Sequence, residues 1–517
     1  MNITDTGTVT RPMETLLPNS IWPMHVTARN RFAILFLLAA TTFLPALTGC
    51  STNPATGEQS FTAFMSPEQE RQVGRQQDPQ IKQEFGGAYN DAELAAYVTR
   101  IGNKLAATSE MPDLDFTFTV LNTPDINAFA LPGGYVYVTR GLIALAENEA
   151  ELAGVIAHEI GHVTARHSAE RYSRGTAIGL GATILGVLTD SKAIADLAGL
   201  GSQLYLKSYS REQEFQADTL GVRYLSRAGY ETGAMASFLQ KLGNASRLQA
   251  EIAGANHDPD AVDLMATHPR TVDRVQQALI AARVRSVSNP VVRRDPFLDK
   301  VDGVLFGNDP KEGVIRDRTF LHKDLNFRFE VPPNFRIYNQ PHRVLALDPN
   351  GARFIFDAAP KSAEQRPAGY IRNSWAKGQA VRDLENITIN GMNGATGWLA
   401  ITAKGGTTYM LRLVAIRYDA DTLYRMQFLV PSHRTGTLNE SMRRTTYSFN
   451  LLTEEDRAAI QPYRVKVMRF DGTVSEQSLA GSIPFPGYEV RYFRMINSLG
   501  NGAQPPLGSR IKTIGPQ

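Results

Sequence analysis

The sequence predicts an α+β protein. A helix-dominated domain with a small edge sheet is expected over 60–285, an α+β or β-rich domain over 313–455, and a small βααβ module over 456–517. Three observations carry this. The 517 residues exceed what one hydrophobic core serves, because domains run to roughly 100–200 residues each. Apolar residues recur at helical spacing from Leu142 to about Val284, whereas apolar and polar residues alternate in strand-like runs from Phe320 to Asn450. Between them, Ser286 to Lys311 carries prolines, glycines and mixed charge, so 286–312 is expected to be a linker.

Composition excludes several classes. Apolar residues at 43%, charged residues at 20% and a mean hydropathy of −0.23 describe a globular chain, not a polytopic membrane protein. The 54 basic residues against 51 acidic ones give a net charge of only +3, too even to imply a nucleic-acid partner. The single cysteine, Cys50, rules out an internal disulfide, a zinc ribbon and a dithiol redox site, so a metal here must be held by nitrogen and oxygen.

The N-terminus is expected to be an address. Arg29 and Arg31 precede an uncharged stretch, Phe32 to Gly49, that ends Leu47-Thr48-Gly49-Cys50. A positive start, a short apolar run and small residues before the cut describe a secretory signal over 1–49, with an N-terminal extension if Met24 is the initiator. The last four residues resemble a bacterial lipobox, which implies a lipid on Cys50, a tether over 50–59 and attachment to a membrane that the chain never crosses. The alternative is a signal anchor with an incidental cysteine. By resemblance to known lipoprotein sorting patterns, Ser51 rather than an aspartate after the cysteine implies the outer membrane, so the expected location is the cell envelope, facing the periplasm.

Along the mature chain, Ser66-Pro67-Glu68-Gln69-Glu70 starts a helix with a serine cap, a proline in the first turn and acids against the helix dipole. Asp91 caps a second helix whose Leu94, Tyr97, Val98, Ile101 and Leu105 form one apolar face. Phe116 to Leu121, Ile126 to Leu131 and Tyr135 to Thr139 are strand candidates, the last two joined through Pro132-Gly133-Gly134. The uncharged Gly175 to Thr189 would make a helix of only about 22 Å, short of a bilayer core of about 30 Å. A buried helix or a flap over a cleft is expected there. In the second domain the strand candidates include Phe327 to Val331, Arg353 to Phe356, Met410 to Val414 and Leu423 to Phe428.

The chemistry is carried by Val155-Ile156-Ala157-His158-Glu159-Ile160-Gly161-His162-Val163. At about 100° per residue, His158 and His162 stand one turn apart on one helix face, where two imidazoles can share an ion. Glu159 is near the ion without displacing a ligand and can take a proton from water that the ion acidifies. Catalytic zinc normally keeps three protein ligands. His167 falls half a turn out on a continuous helix and is expected on the surface or behind a ligand. Within Ser210-Arg211-Glu212-Gln213-Glu214-Phe215-Gln216-Ala217-Asp218, Glu214 and Asp218 share a face: Glu214 can ligate while Asp218 steadies a ligand histidine.

Four separated segments, Asn127-Ala128-Phe129-Ala130-Leu131-Pro132-Gly133-Gly134, the zinc helix, Ser210 to Asp218, and Thr267-His268-Pro269 with Arg274, resemble the zinc metallopeptidases of family M forty-eight, which include the HtpX-like and prenyl-protein proteases. The resemblance covers about 60–285. It implies a zincin-like fold, one zinc ion held by His158, His162 and Glu214, Glu159 as general base and Asp218 behind a ligand. It also implies that the strand of Asn127, Ala128 and Phe129 borders the cleft, and that His268 and Arg274 approach the metal to steady an oxyanion or, for His268, to cover the ion. An edge strand beside the metal would hold extended peptides through main-chain hydrogen bonds.

The C-terminal module resembles a degenerate LysM unit, with Asp471-Gly472-Thr473 in place of Gly-Asp-Thr. Peptidoglycan is then a further partner, and a structural cap is the other reading. The expected function is a lipid-anchored zinc endopeptidase of the envelope acting on misfolded or misassembled envelope proteins. The alternatives are a chaperone-like assembly factor with little proteolysis and a peptidoglycan-associated binding protein.

Overall fold

The computed structural model describes residues 50–175, 208–253, 268, 272–360, 366–402, 406–500 and 502–516. The chain divides into Met1–Cys50 and Ser51–Gln517. The expected signal over 1–49, with all of the expected lipobox except Cys50, and nearly all of the apolar Gly175 to Thr189 stretch lie outside the described residues. Among the described residues, no helix is long and apolar enough to cross a membrane.

After the short strands β1 (Cys50–Thr52) and β2 (Gln59–Phe61), helix α1 spans Pro67–Glu84. Ser66 and Gln69 cap it reciprocally in the predicted box. Helix α2 (Ala92–Ala106) starts at the Asp91 cap and buries Leu94, Tyr97, Val98, Ile101 and Leu105, the face its periodicity predicts. Strands β3 (Thr117–Leu121), β4 (Ala128–Leu131) and β5 (Tyr135–Thr139) form a sheet in the order β3-β5-β4. β4 and β5 pair antiparallel, β3 and β5 parallel. In the β4–β5 turn, Gly133 has φ +83, and a Cβ there would stand 2.7 Å from Arg71 Cα, so glycine lets α1 lie against the turn.

Helices α3 (Arg140–Leu145), α4 (Glu149–Thr164), α5 (Arg211–Arg227), α6 (Ala234–Ala253), α7 (Val272–Val284) and α8 (Arg294–Val301) complete the helical layer. Residues 167–175 are also helical. Ion pairs and hydrogen bonds fix the start of α4: Glu149 accepts from Tyr97 Oη and Tyr230 Oη, each at 2.7 Å, and Lys241 donates to Glu151 at 2.7 Å.

A second core belongs to a seven-stranded antiparallel sheet over 336–431, where the alternation predicted strands. From this sheet Phe354, Phe356 and Phe428 pack with Phe327 and Phe329 of the strand Phe327–Glu330, which belongs to a separate three-stranded sheet, and the helix Thr435–Tyr447 adds Leu438 and Met442.

The C-terminal residues follow the expected order of strand (Tyr463–Arg469), helix (Glu476–Ala480), helix (Glu489–Ile496) and strand (Arg510–Pro516), with the strands antiparallel. They do not make a separate core. Val465, Phe493, Ile496, Ile511 and Ile514 share one apolar cluster with Ile143, Leu145 and Ile156. Lys512 is fully buried and donates to the carbonyls of Ala144, Leu145 and Ala146 at 2.9, 3.3 and 2.6 Å, capping the end of α3 just before the zinc helix. Replacing Lys512→Met leaves those carbonyls without their donor. Hydrogen bonds to a charged donor contribute about 1.5–3 kcal/mol each, offset here by the ammonium's own desolvation, so a net loss of about 2 kcal/mol is expected in urea denaturation. A change below about 0.5 kcal/mol would remove Lys512 from the list of structural fasteners.

Candidate metal centre

Helix α4 starts at Asn148, whose side chain accepts from the Glu151 amide, and it carries Glu149 and Glu151 in its first turn, where they face the positive end of the dipole. Every residue of α4 is buried. The helix therefore runs through the core and presents His158, Glu159 and His162 to the interior. Helix α5 lies close against it because two glycines leave room. A Cβ on Gly161 would stand 3.0 Å from Ala217 O, and one on Gly221 would stand 3.1 Å from His158 N. That approach brings Glu214 and Asp218 against the histidines.

The donor atoms converge. His158 Nε2 lies 3.0 Å from His162 Nε2 and 3.6 Å from Glu214 Oε2, and His162 Nε2 lies 3.5 Å from Glu214 Oε1. His268 joins them, its Nδ1 2.9 Å from Glu214 Oε1 and 3.3 Å from His158 Nε2. One ligand atom from each of these four buried residues lies within 4.8 Å of the others. Donors bound tetrahedrally at about 2.0–2.1 Å stand about 3.3 Å from one another, and the observed distances straddle that value.

Charge gives a second, independent fit. Among the described residues, the buried carboxylates Glu159, Glu214 and Asp218 face one permanent cation, Arg274, itself buried. Two negative charges of this described set remain uncompensated, and a divalent ion brings it to neutrality. Imidazole and carboxylate donors suit zinc. The same imbalance shows in the titrations. Burial works against a charged His268, yet Glu214 and Glu159 raise its pKa above the ordinary value. Burial also opposes ionisation of Glu214, but His268, His162 and Arg274 hold its carboxyl well below the usual range. Burial raises Glu159, with His268 and His158 opposing. Neither oxygen of Glu159 has a hydrogen-bonding partner among the described residues; His268 Nε2 stands 3.6 Å from Oε1.

The other sequence candidates lie around this cluster. Asp218 Oδ1 is 2.9 Å from His158 Nδ1. Arg274 Nε and Nη2 donate to Asp218 at 2.7 Å each, and Nη1 lies 2.6 Å from Glu214 Oε2. Asn127 is fully buried, its amide donating to Thr139 Oγ1 at 3.0 Å, and Ala128 and Phe129 lie in β4, an edge strand of its sheet. Cys50 opens β1.

One neighbour was not placed by sequence. Tyr209 stacks on His162 with ring centroids 3.8 Å apart, and its hydroxyl lies 3.0 Å from Ser168 Oγ. Its position directly before Ser210, which caps α5, was the available signal. Of the two places expected for His167, the surface or behind a ligand, it takes the second: it is buried, with Nδ1 2.8 Å from His162 Nδ1, though not on the continuous helix assumed. The half-turn argument fails because the helix is broken: α4 ends at Thr164, and Arg166 has φ 54.

Two imidazoles one turn apart, a carboxylate from a second helix and a buried glutamate beside the first imidazole define a zinc metallopeptidase type of centre. Residues 92–281 match the family model described as Peptidase family M48. The beta-barrel assembly-enhancing protease of Yersinia pestis is 34% identical over 197 residues, covering 36% of this chain and 39% of that protein. The beta-barrel assembly-enhancing protease of Escherichia coli is 32% identical over 230 residues, covering 42% of this chain and 45% of that one. The mitochondrial metalloendopeptidase OMA1 of Arabidopsis thaliana is 35% identical over 165 residues, 32% of this chain and 31% of the relative. The chain thus spans less than half the length of these curated relatives.

Proposed function

We propose that this chain is a zinc-dependent endopeptidase of the bacterial cell envelope that hydrolyses peptide bonds in misfolded or misassembled envelope proteins. The observation that carries the proposal is the buried set of His158, His162 and Glu214, beside a Glu159 carboxylate with no hydrogen-bonding partner among the described residues. The printed name of the bacterial relatives, a protease that enhances β-barrel assembly, supports the envelope setting. A signal over 1–49, a lipid on Cys50 and outer-membrane attachment belong to this reading, as does the division into 60–285 and 313–455, with 456–517 sharing the core of the first.

In this reading His158, His162 and Glu214 hold the zinc. The ion, when bound, polarises the scissile carbonyl and lowers the pKa of water toward about 7. Glu159 takes a proton from the attacking water and returns it to the departing amine; its burial favours a base that is easily reprotonated. Asp218 accepts from His158 Nδ1–H and so turns Nε2 toward the ion. Arg274, engaged with Asp218 and Glu214, holds both acids in place. His268 Nδ1 stands at the fourth corner of the donor set, which supports a covering role that substrate entry must relieve. Strand β4, with Asn127 before it, offers an edge for an extended peptide.

Purified, zinc-loaded full chain is expected to cleave unfolded casein, to stop when a strong chelator strips the ion, and to recover on zinc addition. Purified material without stoichiometric metal, or cleavage indifferent to chelation, ends the proposal.

A further inference from the structure

The geometry points to His167 as a positioning residue for His162: anchored by Gln216, it accepts from His162 Nδ1–H and thereby fixes the tautomer that turns Nε2 toward the ion. The inference rests on the zinc reading above for its consequence, though not for its geometry.

The left-handed turn at Arg166 brings His167 back beneath His162. Distant contacts clamp this turn. Arg166 Nε donates to the buried Glu70 at 2.8 Å, Arg166 Nη2 donates to Met65 O at 2.8 Å, and Asn53 Nδ2 donates to Ala165 O at 2.6 Å. On the far side of the ring, His167 Nε2 lies 2.9 Å from Gln216 Oε1, while Gln216 Nε2 donates to Glu58 Oε2 at 2.6 Å.

The proton positions follow from which atoms can only accept. The carboxylate of Glu58 has no hydrogen to give, so the nitrogen of the Gln216 amide faces it and the oxygen faces His167. His167 therefore carries its hydrogen on Nε2, and its Nδ1 presents a lone pair. Across 2.8 Å, His162 must supply the hydrogen from Nδ1, leaving the lone pair of its Nε2 among the metal donors.

The residue type at 167 also has a reason. Asp218 orients His158 with a charged acceptor. A second carboxylate, at 167, would leave the cluster with a net negative charge even when a divalent ion is bound, because Glu159, Glu214 and Asp218 against Arg274 already match that ion. A neutral imidazole orients without adding charge.

The test is His167→Phe in the full chain, which keeps a ring and removes the acceptor. Zinc affinity, measured by competition with a chromogenic chelator, is expected to fall about 10–100-fold. His167→Gln, which restores an acceptor oxygen, should recover most of it. Imidazole nitrogen-15 shifts of metal-free protein read the tautomer directly: wild type should show His162 protonated on Nδ1, and His167→Phe should show a mixture. Wild type protonated on Nε2, or an unchanged tautomer and zinc affinity in His167→Phe, overturns the proposal while leaving the peptidase reading intact. If the wild type takes up no zinc, the peptidase reading fails instead, and the nitrogen shifts still decide the role of His167. Should His167→Phe fail to fold, the wild-type shifts and His167→Gln decide.

Discussion

Glu159→Gln is expected to keep its zinc and lose its cleavage. The amide has the size of the carboxylate and sits at a position that is not among the converging donors, so the ion's ligands are undisturbed. It cannot accept a proton, and general-base catalysis contributes about 10²–10⁴-fold, so casein hydrolysis should fall by that factor. The substitution also removes one of the buried negative charges, so a modest loss of zinc affinity is expected, small enough that purified protein remains stoichiometrically loaded. Two assays are needed together: metal content and hydrolysis rate. Undiminished hydrolysis would show that another group moves the proton. A cell in which this variant still fulfils the envelope function, with hydrolysis abolished, would favour a chaperone-like assembly role, because every other contact of the site survives the change.

What the sequence made legible about this site is what is local. His158 and His162 are one turn apart on one helix, so helical geometry alone puts them together; Glu214 and Asp218 share a face for the same reason. The caps at Ser66 and Asp91 are likewise short-range, and each initiates the helix expected. His268 was tied to the metal by family resemblance alone, since its neighbours Glu214 and His158 are 54 and 110 residues away. For His167 the sequence left the surface and a place behind a ligand both open, and the residue takes the second. Its place depends on a non-glycine residue with positive φ, Arg166, held there by Glu70 and Asn53, and nothing within a few residues announces that turn. The fusion of the C-terminal module with the helical core was also hidden, because Lys512 finds its carbonyls more than 360 residues back in the chain. Alternation located the strands of the second domain, but the order in which they pair is a long-range property.

Glu214→Gln should separate binding from catalysis in the other direction, by losing the ion itself. Glu214 is the only carboxylate in the four-residue donor set, and it is buried. Its replacement removes a ligand charge where three buried carboxylates and Arg274 leave a deficit that a dication fills. Arg274 keeps its paired contact to Asp218, so the fold has a reason to survive. Removing a group that merely orients a ligand costs about 10–100-fold in affinity, and losing the ligand itself should cost more. The readout is thermal. An ion present at 1,000 times its dissociation constant stabilises the folded state by about 4 kcal/mol, which for a domain of 150–250 residues corresponds to roughly 8–16 °C in Tm. Wild type and Glu159→Gln should therefore melt higher with zinc than with chelator, whereas Glu214→Gln should melt at the same temperature in both and show no hydrolysis. A full zinc-dependent shift in Glu214→Gln would mean that His158, His162 and His268 hold the ion without it, and the assignment of the third ligand would pass from the acid to His268.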